Sequence, residues 1–198
     1  RMNEATVRAL EEAGFKTDSS VASQRIDGPF TFGAKRKLKW LVAPRKPYMI
    51  SYDSIVKSGS SNILEIPISA AIFPFIGTTM RISPFITMIL QKYLYHESKK
   101  TGKPVVFLFH PNECLDVGNK TEATRRTNNP FEYLFADVIR HKLKLKNMGL
   151  ASLRLLDEVL TSASECGFEF VSMREYRKLY KVREVTKMEI REDAENYF

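Results

Sequence analysis

Pro104-Val105-Val106-Phe107-Leu108-Phe109 is a run of apolar and ring residues without polar alternation, and it stops at His110. A strand with one wet face alternates apolar with polar residues. An unbroken run of this length predicts a strand covered on both faces, as in a parallel sheet flanked by helices. The preceding segment is helical in pattern: Ser83 caps it and Pro84 takes the first turn. Phe85, Ile86, Ile89, Leu90, Tyr93 and Leu94 form the expected buried stripe, and Lys99, Lys100 and Gly102 end it.

The rest of the chain alternates in the same way. Asn3 caps an amphipathic first helix with Val7, Leu10 and Ala13 on one face and Gly14 as its stop. Phe15-Lys16-Thr17 leads as a short strand into Asp18-Ser19-Ser20, followed by an irregular excursion from Val21 to about Met49. Tyr48–Tyr52 suits a strand, and Lys57–Asn62 a turn. Ile63–Ser69 is β-rich, although Pro67 argues against an ordinary central strand. A helix is expected from Pro130 through Phe131, Leu134, Phe135, Val138 and Ile139. Another spans Gly149–Glu165 with Leu153, Leu156 and Leu160 inward, then a strand over Phe168–Ser172 and a closing helix from Met173.

Helix–strand alternation implies a parallel α/β arrangement. Three or four strands are too few to close a (β/α) barrel, which needs about eight. They would also make only a thin doubly wound sheet, so the expectation is a single domain over residues 1–198 with a missing part that precedes Arg1.

Charge narrows the partners. The 31 Lys and Arg exceed the 23 Asp and Glu, for a net +8. Six cations lie between Lys35 and Lys46 with no acid, and Arg140, Lys142, Lys144 and Lys146 form a second cluster. Such clusters suit nucleic acid, anionic lipid or an acidic polymer; they equally suit a solvated loop and a helix end that complements its dipole. No nucleic-acid motif accompanies them, so nucleic acid is not favoured. No apolar stretch reaches the roughly 20 residues of a membrane span. Arg1–Gly14 is a charged amphipathic segment unlike a signal peptide, and a cytoplasmic location is expected. Cys114 and Cys166 are too few for a disulfide framework or a zinc cluster.

In parallel α/β folds chemistry collects at the carboxyl ends of strands. Those positions here hold Asp18-Ser19-Ser20, Glu65, Ser69 and His110-Pro111-Asn112-Glu113. His110 follows an apolar run, and imidazole moves protons near neutrality. A carboxylate such as Asp18 favours its charged form; a strand-end histidine that merely bonds to backbone is the alternative. His96 and His141 sit among charged helix neighbours, as surface residues do. No HxxxH, HExxH, CxxC, GxSxG or Gly-rich phosphate loop occurs, and Cys114 beside His110 is weak as a nucleophile.

Four segments, in order, resemble polysaccharide deacetylases, the carbohydrate-esterase superfamily that includes chitooligosaccharide deacetylases. Leu10–Val21 is similar to that family's L-x-x-x-G-[FY]-x-x-D-S-S segment, and Ile63–Ser69 to its l-x-E-[IVF]-P-[VI]-S segment. Val106–Pro111 matches the L-x-H motif in the form where Pro follows, and Glu165–Tyr176 resembles the G-[YF]-x-F-[VT]-[ST]-[LM]-x-E-[YL] ending. The resemblance implies a distorted TIM-like (β/α) barrel that removes acetyl groups from N-acetylated carbohydrate with a divalent, zinc-like metal. His110 would be the general acid, Asp18 the carboxylate that tunes it, and Leu108 the lining of an acetyl-methyl pocket. Pro111, Glu113, Ser19 and Glu65 would complete the substrate wall. The family's metal-binding Asp, its H-x-x-x-H pair, its catalytic-base Asp and its arginine motif match nothing in the sequence, so no metal ligand is assigned. The chain is expected to be inactive alone. A non-catalytic carbohydrate- or partner-binding module is the alternative, and an apolar barrel edge left open favours a homo-oligomer.

Overall fold

A computed structural model describes residues 3–23, 37–115, 133 and 138–182. Helix α1 is Glu4–Glu12, and Asn3 caps it in a reciprocal box with Thr6, accepting the Thr6 N–H at 2.9 Å. Gly14 at φ +83° ends it. The Gly14 N–H bonds Glu11 O and the Phe15 N–H bonds Leu10 O, a Schellman turn that satisfies the last carbonyls. After β1 (Thr17–Asp18) come a 3₁₀ turn over Lys37–Val42, β2 (Tyr48–Met49) and β3 (Leu64–Glu65).

These strands form a mixed sheet in the order β1-β3-β2, with β1–β3 parallel and β2–β3 antiparallel. The wholly parallel arrangement read from the sequence is therefore corrected. Beyond β3 the chain stays extended: Ala22 bridges Ile68 in parallel, and Ile68 N–H bonds Val21 O. A small hairpin, β4 (Ala70–Ala71) and β5 (Phe73–Pro74), loops out and is closed by the Phe75 N–H to Ser69 O bond. Residues 104–108 then lie alongside, tied by Ser69 N–H to Val106 O and by a parallel bridge between Ile76 and Leu108.

Pro67 sits centrally after all. Leu64, Ile66 and Ile68 direct their N–H groups to the β1 side, so Pro67 faces the other side. There it falls between the last β2 partner, Glu65, and the Ser69–Val106 contact, where no ladder bond is lost.

The run 104–109 is half-buried, not covered on both faces. Val105, Phe107 and Phe109 pack on a core of Phe75, Met80, Leu90, Leu94 and Val159, with Phe107 4.7 Å from Phe75 between ring centres. That core joins α2 (Gly77–Ile82), α3 (Pro84–Thr101) and α5 (Leu150–Glu165); α4 is Arg140–Leu145. Val7 of α1 packs against Tyr48, Ile50 and Ile63.

Ser83, Pro84 and Gly102 bound α3 as expected, but its buried face is Thr87, Leu90, Gln91, Leu94, Tyr95 and Ser98. Phe85, Ile89 and Tyr93 are exposed. Gln91 explains the choice: its amide donates to the Tyr95 hydroxyl and to Val159 O of α5, an internal link that needs burial. In α5 the buried residues are Ser152, Val159 and Ala163, while Leu153 and Leu160 are exposed.

The expected strand Phe168–Ser172 is irregular and mostly exposed. Ser172 instead caps α6, which occupies 173–182, exchanging bonds with Glu175. Of the helix expected from Pro130, Phe131, Leu134 and Phe135 lie outside the described residues, and Val138 and Ile139 form a helical turn leading into α4. No helix among the described residues is long and apolar enough to cross a membrane.

Candidate functional site

The parallel register sets Asp18 beside Glu65. Glu65 is fully buried, and its Oε1 accepts the Val21 N–H at 2.9 Å; Asp18 Oδ1 accepts from the Ser20 hydroxyl at 3.0 Å. The remaining oxygens, Asp18 Oδ2 and Glu65 Oε2, are buried and meet no other donor. Burial first, then the hydrogen bond to Asp18 and its charge, push Glu65 up to about 9. Glu65 therefore holds a proton at neutral pH and shares it with Asp18. Burial, with the same two carboxyls, also raises the Tyr48 hydroxyl, which donates to Ile55 O at 2.6 Å. Ser19 Oγ donates to Ile66 O at 2.7 Å and so ties β1 to its neighbour.

The other sequence-predicted residues gather at the carboxyl end of 104–108. Alternation along extended chain puts Leu108 and His110 on the face opposite Val105, Phe107 and Phe109. Leu108 is half-buried, its carbonyl accepting the Gly77 N–H at 2.8 Å. His110 and Pro111 are exposed, and Pro111 opens a 3₁₀ turn through Cys114. Glu113 turns inward: Thr78 Oγ1 at 3.1 Å and Arg81 Nη2 at 3.2 Å donate to its Oε1. Gly77 makes room for it, since a Cβ there would run into the Glu113 carboxylate and stand 2.8 Å from the Phe109 ring. Glu113 Oε1 is thus engaged internally, while its Oε2 is buried without a hydrogen-bond partner among the described residues.

Two groups result, and they are not joined. Asp18 pairs with Glu65, four residues before Ser69; His110 lies four residues beyond Val106, the partner of Ser69. At ~3.3 Å per residue the imidazole stands on the order of 20 Å along the sheet from Asp18. No bond connects them among the described residues. Nor do the described residues hold a group of three or more His, Cys, Asp or Glu able to bind a metal. The Asp18–Glu65 pair alone is short of such a group, and no ligand set for the divalent ion that the resemblance implies is assigned among the described residues.

No family model, curated protein or solved structure matches this chain.

Of the basic clusters, Arg45 is not a loop charge. It pairs with Glu97 and donates to Ala70 O at 2.7 Å. Burial pushes the Glu97 carboxyl up, yet the Arg45 and Lys103 donors outweigh it and hold it below its ordinary value. Lys146 Nζ donates to Ile82 O at 2.7 Å. A third basic group was missed. Arg174, Arg177, Lys178 and Lys181 line a cavity of about 400 Å³ together with Gly14, Phe15, Lys16 and Thr17. Its sequence signal is the spacing i, i+3, i+4, i+7, one face of a helix.

Proposed function

We propose that this chain forms the acid-bearing arc of a polysaccharide deacetylase-like hydrolase that removes acetyl groups from N-acetylated amino sugars. The observation that carries this reading is the order of its extended segments. Residues 17–22, 63–69 with 75–76, and 104–108 lie side by side with neighbouring pairs bridged in parallel, α3 linking the second to the third, while β2 flanks β3 antiparallel. Successive parallel segments joined through a helix support the barrel-wall reading.

His110 stands at the open carboxyl end, on the face away from the packed helices. In this reading its imidazolium N–H donates to the amine nitrogen as the C–N bond breaks, and Leu108 beneath it offers an apolar seat for the acetyl methyl group. Asp18, held by Glu65, supports the sheet that carries His110 and does not tune the imidazole.

Acetate release from N-acetylated chito-oligosaccharides by the full-length protein tests the proposal. Release is expected; a folded protein that releases none, with or without added divalent metal, would overturn it. The exposed apolar face of α3, with Phe85, Met88, Ile89 and Tyr93, favours the second reading, a partner-binding module. Partner capture without acetate release would be its signature.

A further inference from the structure

The cavity between α6 and the approach to β1 lies at the amino ends of β1 and β3, away from His110. Arg174, Arg177, Lys178 and Lys181 face it from one side of α6, and Lys16 and the half-exposed Phe15 face it from the other. Arg177 is held in place by donating to Lys16 O, to Asn62 O at 3.0 Å and to Asn62 Oδ1 at 2.7 Å, all neutral acceptors. Among the described residues no carboxylate forms a salt bridge with Lys16, Arg174, Lys178 or Lys181. Two nearby acids, whose charges act on Lys16 and Lys178, make their hydrogen bonds elsewhere. Glu11 accepts from the Tyr52 hydroxyl and the Asn62 N–H, and Glu175 accepts from Ser172.

Like charges three and four residues apart on a helix destabilise it. Convergence of five cations on a concave space therefore favours an anion there. Arg174 supplies a planar fork matched to phosphate oxygens, Arg177 and the lysines supply positive charge, and the Phe15 ring offers a flat apolar surface. A volume of about 400 Å³ belongs to the range of small-molecule pockets rather than to an extended groove that tracks a polymer. We infer that this cavity binds a small polyphosphate anion carrying a flat ring, the chemistry of a nucleoside di- or triphosphate. The site is separate from the hydrolase reading and does not depend on it.

Equilibrium dialysis of the full chain against ATP, ADP, pyrophosphate, inorganic phosphate and a short oligothymidylate tests the inference. ATP and ADP are expected to bind more tightly than pyrophosphate, and inorganic phosphate least, with affinity falling as salt rises. Arg174→Gln and Lys181→Gln, both at exposed positions, should each weaken ADP by about tenfold, the scale of one charged hydrogen bond, with the melting temperature unchanged. Phe15→Ala should weaken ADP several-fold and leave pyrophosphate alone, and His110→Ala should change neither. Absence of ADP binding at millimolar concentration by folded protein would overturn the inference. So would an ADP affinity unchanged from the native protein in both charge variants, or an oligothymidylate that displaces ATP mole for mole.

Discussion

Glu65→Gln isolates the proton held between β1 and β3. In the folded chain burial and Asp18 push the Glu65 carboxyl up to about 9 from an ordinary value of 4.5. The unfolded chain gives up this proton near pH 4.5, while the folded chain keeps it until about pH 9. The folded state thus binds more protons across that window, and its stability from this group is full below pH 4.5 and falls as pH rises through 9. The slope is about 1.4 kcal/mol per pH unit, so about 4 kcal/mol is lost between pH 5 and 8. Glutamine keeps the shape, accepts the Val21 N–H through its carbonyl and donates to Asp18 through its amide, with nothing to ionise. Urea unfolding of both proteins from pH 5 to 8 should show the variant gaining on the native chain steadily with pH. Titrations of all other groups are common to both proteins and cancel in the difference. Stability curves that stay parallel across the range would refute the shared proton.

Three further outcomes follow from the packing. His110→Ala should lower acetate release by roughly 10²–10⁴ and leave the melting temperature alone, because the side chain is exposed; equal loss of both would assign it a structural role. Gly77→Ala drives a methyl group into the Glu113 carboxylate, which Thr78 and Arg81 hold in place, and chemical denaturation should show a loss of about 1–3 kcal/mol. Leu94→Ala should cost about 2–5 kcal/mol, whereas Phe85→Ala, on the exposed face of the same helix, should stay within about 0.5 kcal/mol.

That last contrast marks where sequence reading stops. The ends of α3 were legible because Ser83, Pro84 and Gly102 act within one turn of the backbone they cap. Its orientation was not, because apolar residues cover more than one face, and Phe85, Ile89 and Tyr93 made a stripe as good as the real one. Gln91 decided between them, and its partner Val159 is 68 residues away. Small and polar residues, Thr87 and Ser98 in α3 with Ser152 and Ala163 in α5, occupy buried positions that an apolar stripe does not mark. The apparent strand Phe168–Ser172 failed for a related reason: β-propensity counts only beside a partner strand, and the Ser172–Glu175 cap was a stronger local instruction.

The site divides along the same line. Asp18, Glu65 and His110 each stand out in the sequence as polar residues at the ends of extended runs, but which pair meets is a matter of register. A shift of one residue between 104–109 and its neighbour would turn His110 toward the helices and Phe109 toward the open face. Two contacts prevent it. Ser69 grips Val106 twice, its N–H donating to Val106 O at 3.1 Å and its hydroxyl accepting the Val106 N–H at 2.9 Å. Farther along, Leu108 N–H reaches Phe75 O at 3.2 Å and its carbonyl takes the Gly77 N–H. The first grip lies before the 70–74 hairpin and the second beyond it, so the hairpin can loop out without releasing the register. The facing of His110 is thus fixed by a serine hydroxyl and a glycine N–H on a neighbouring segment, neither of which any pattern within 104–110 contains.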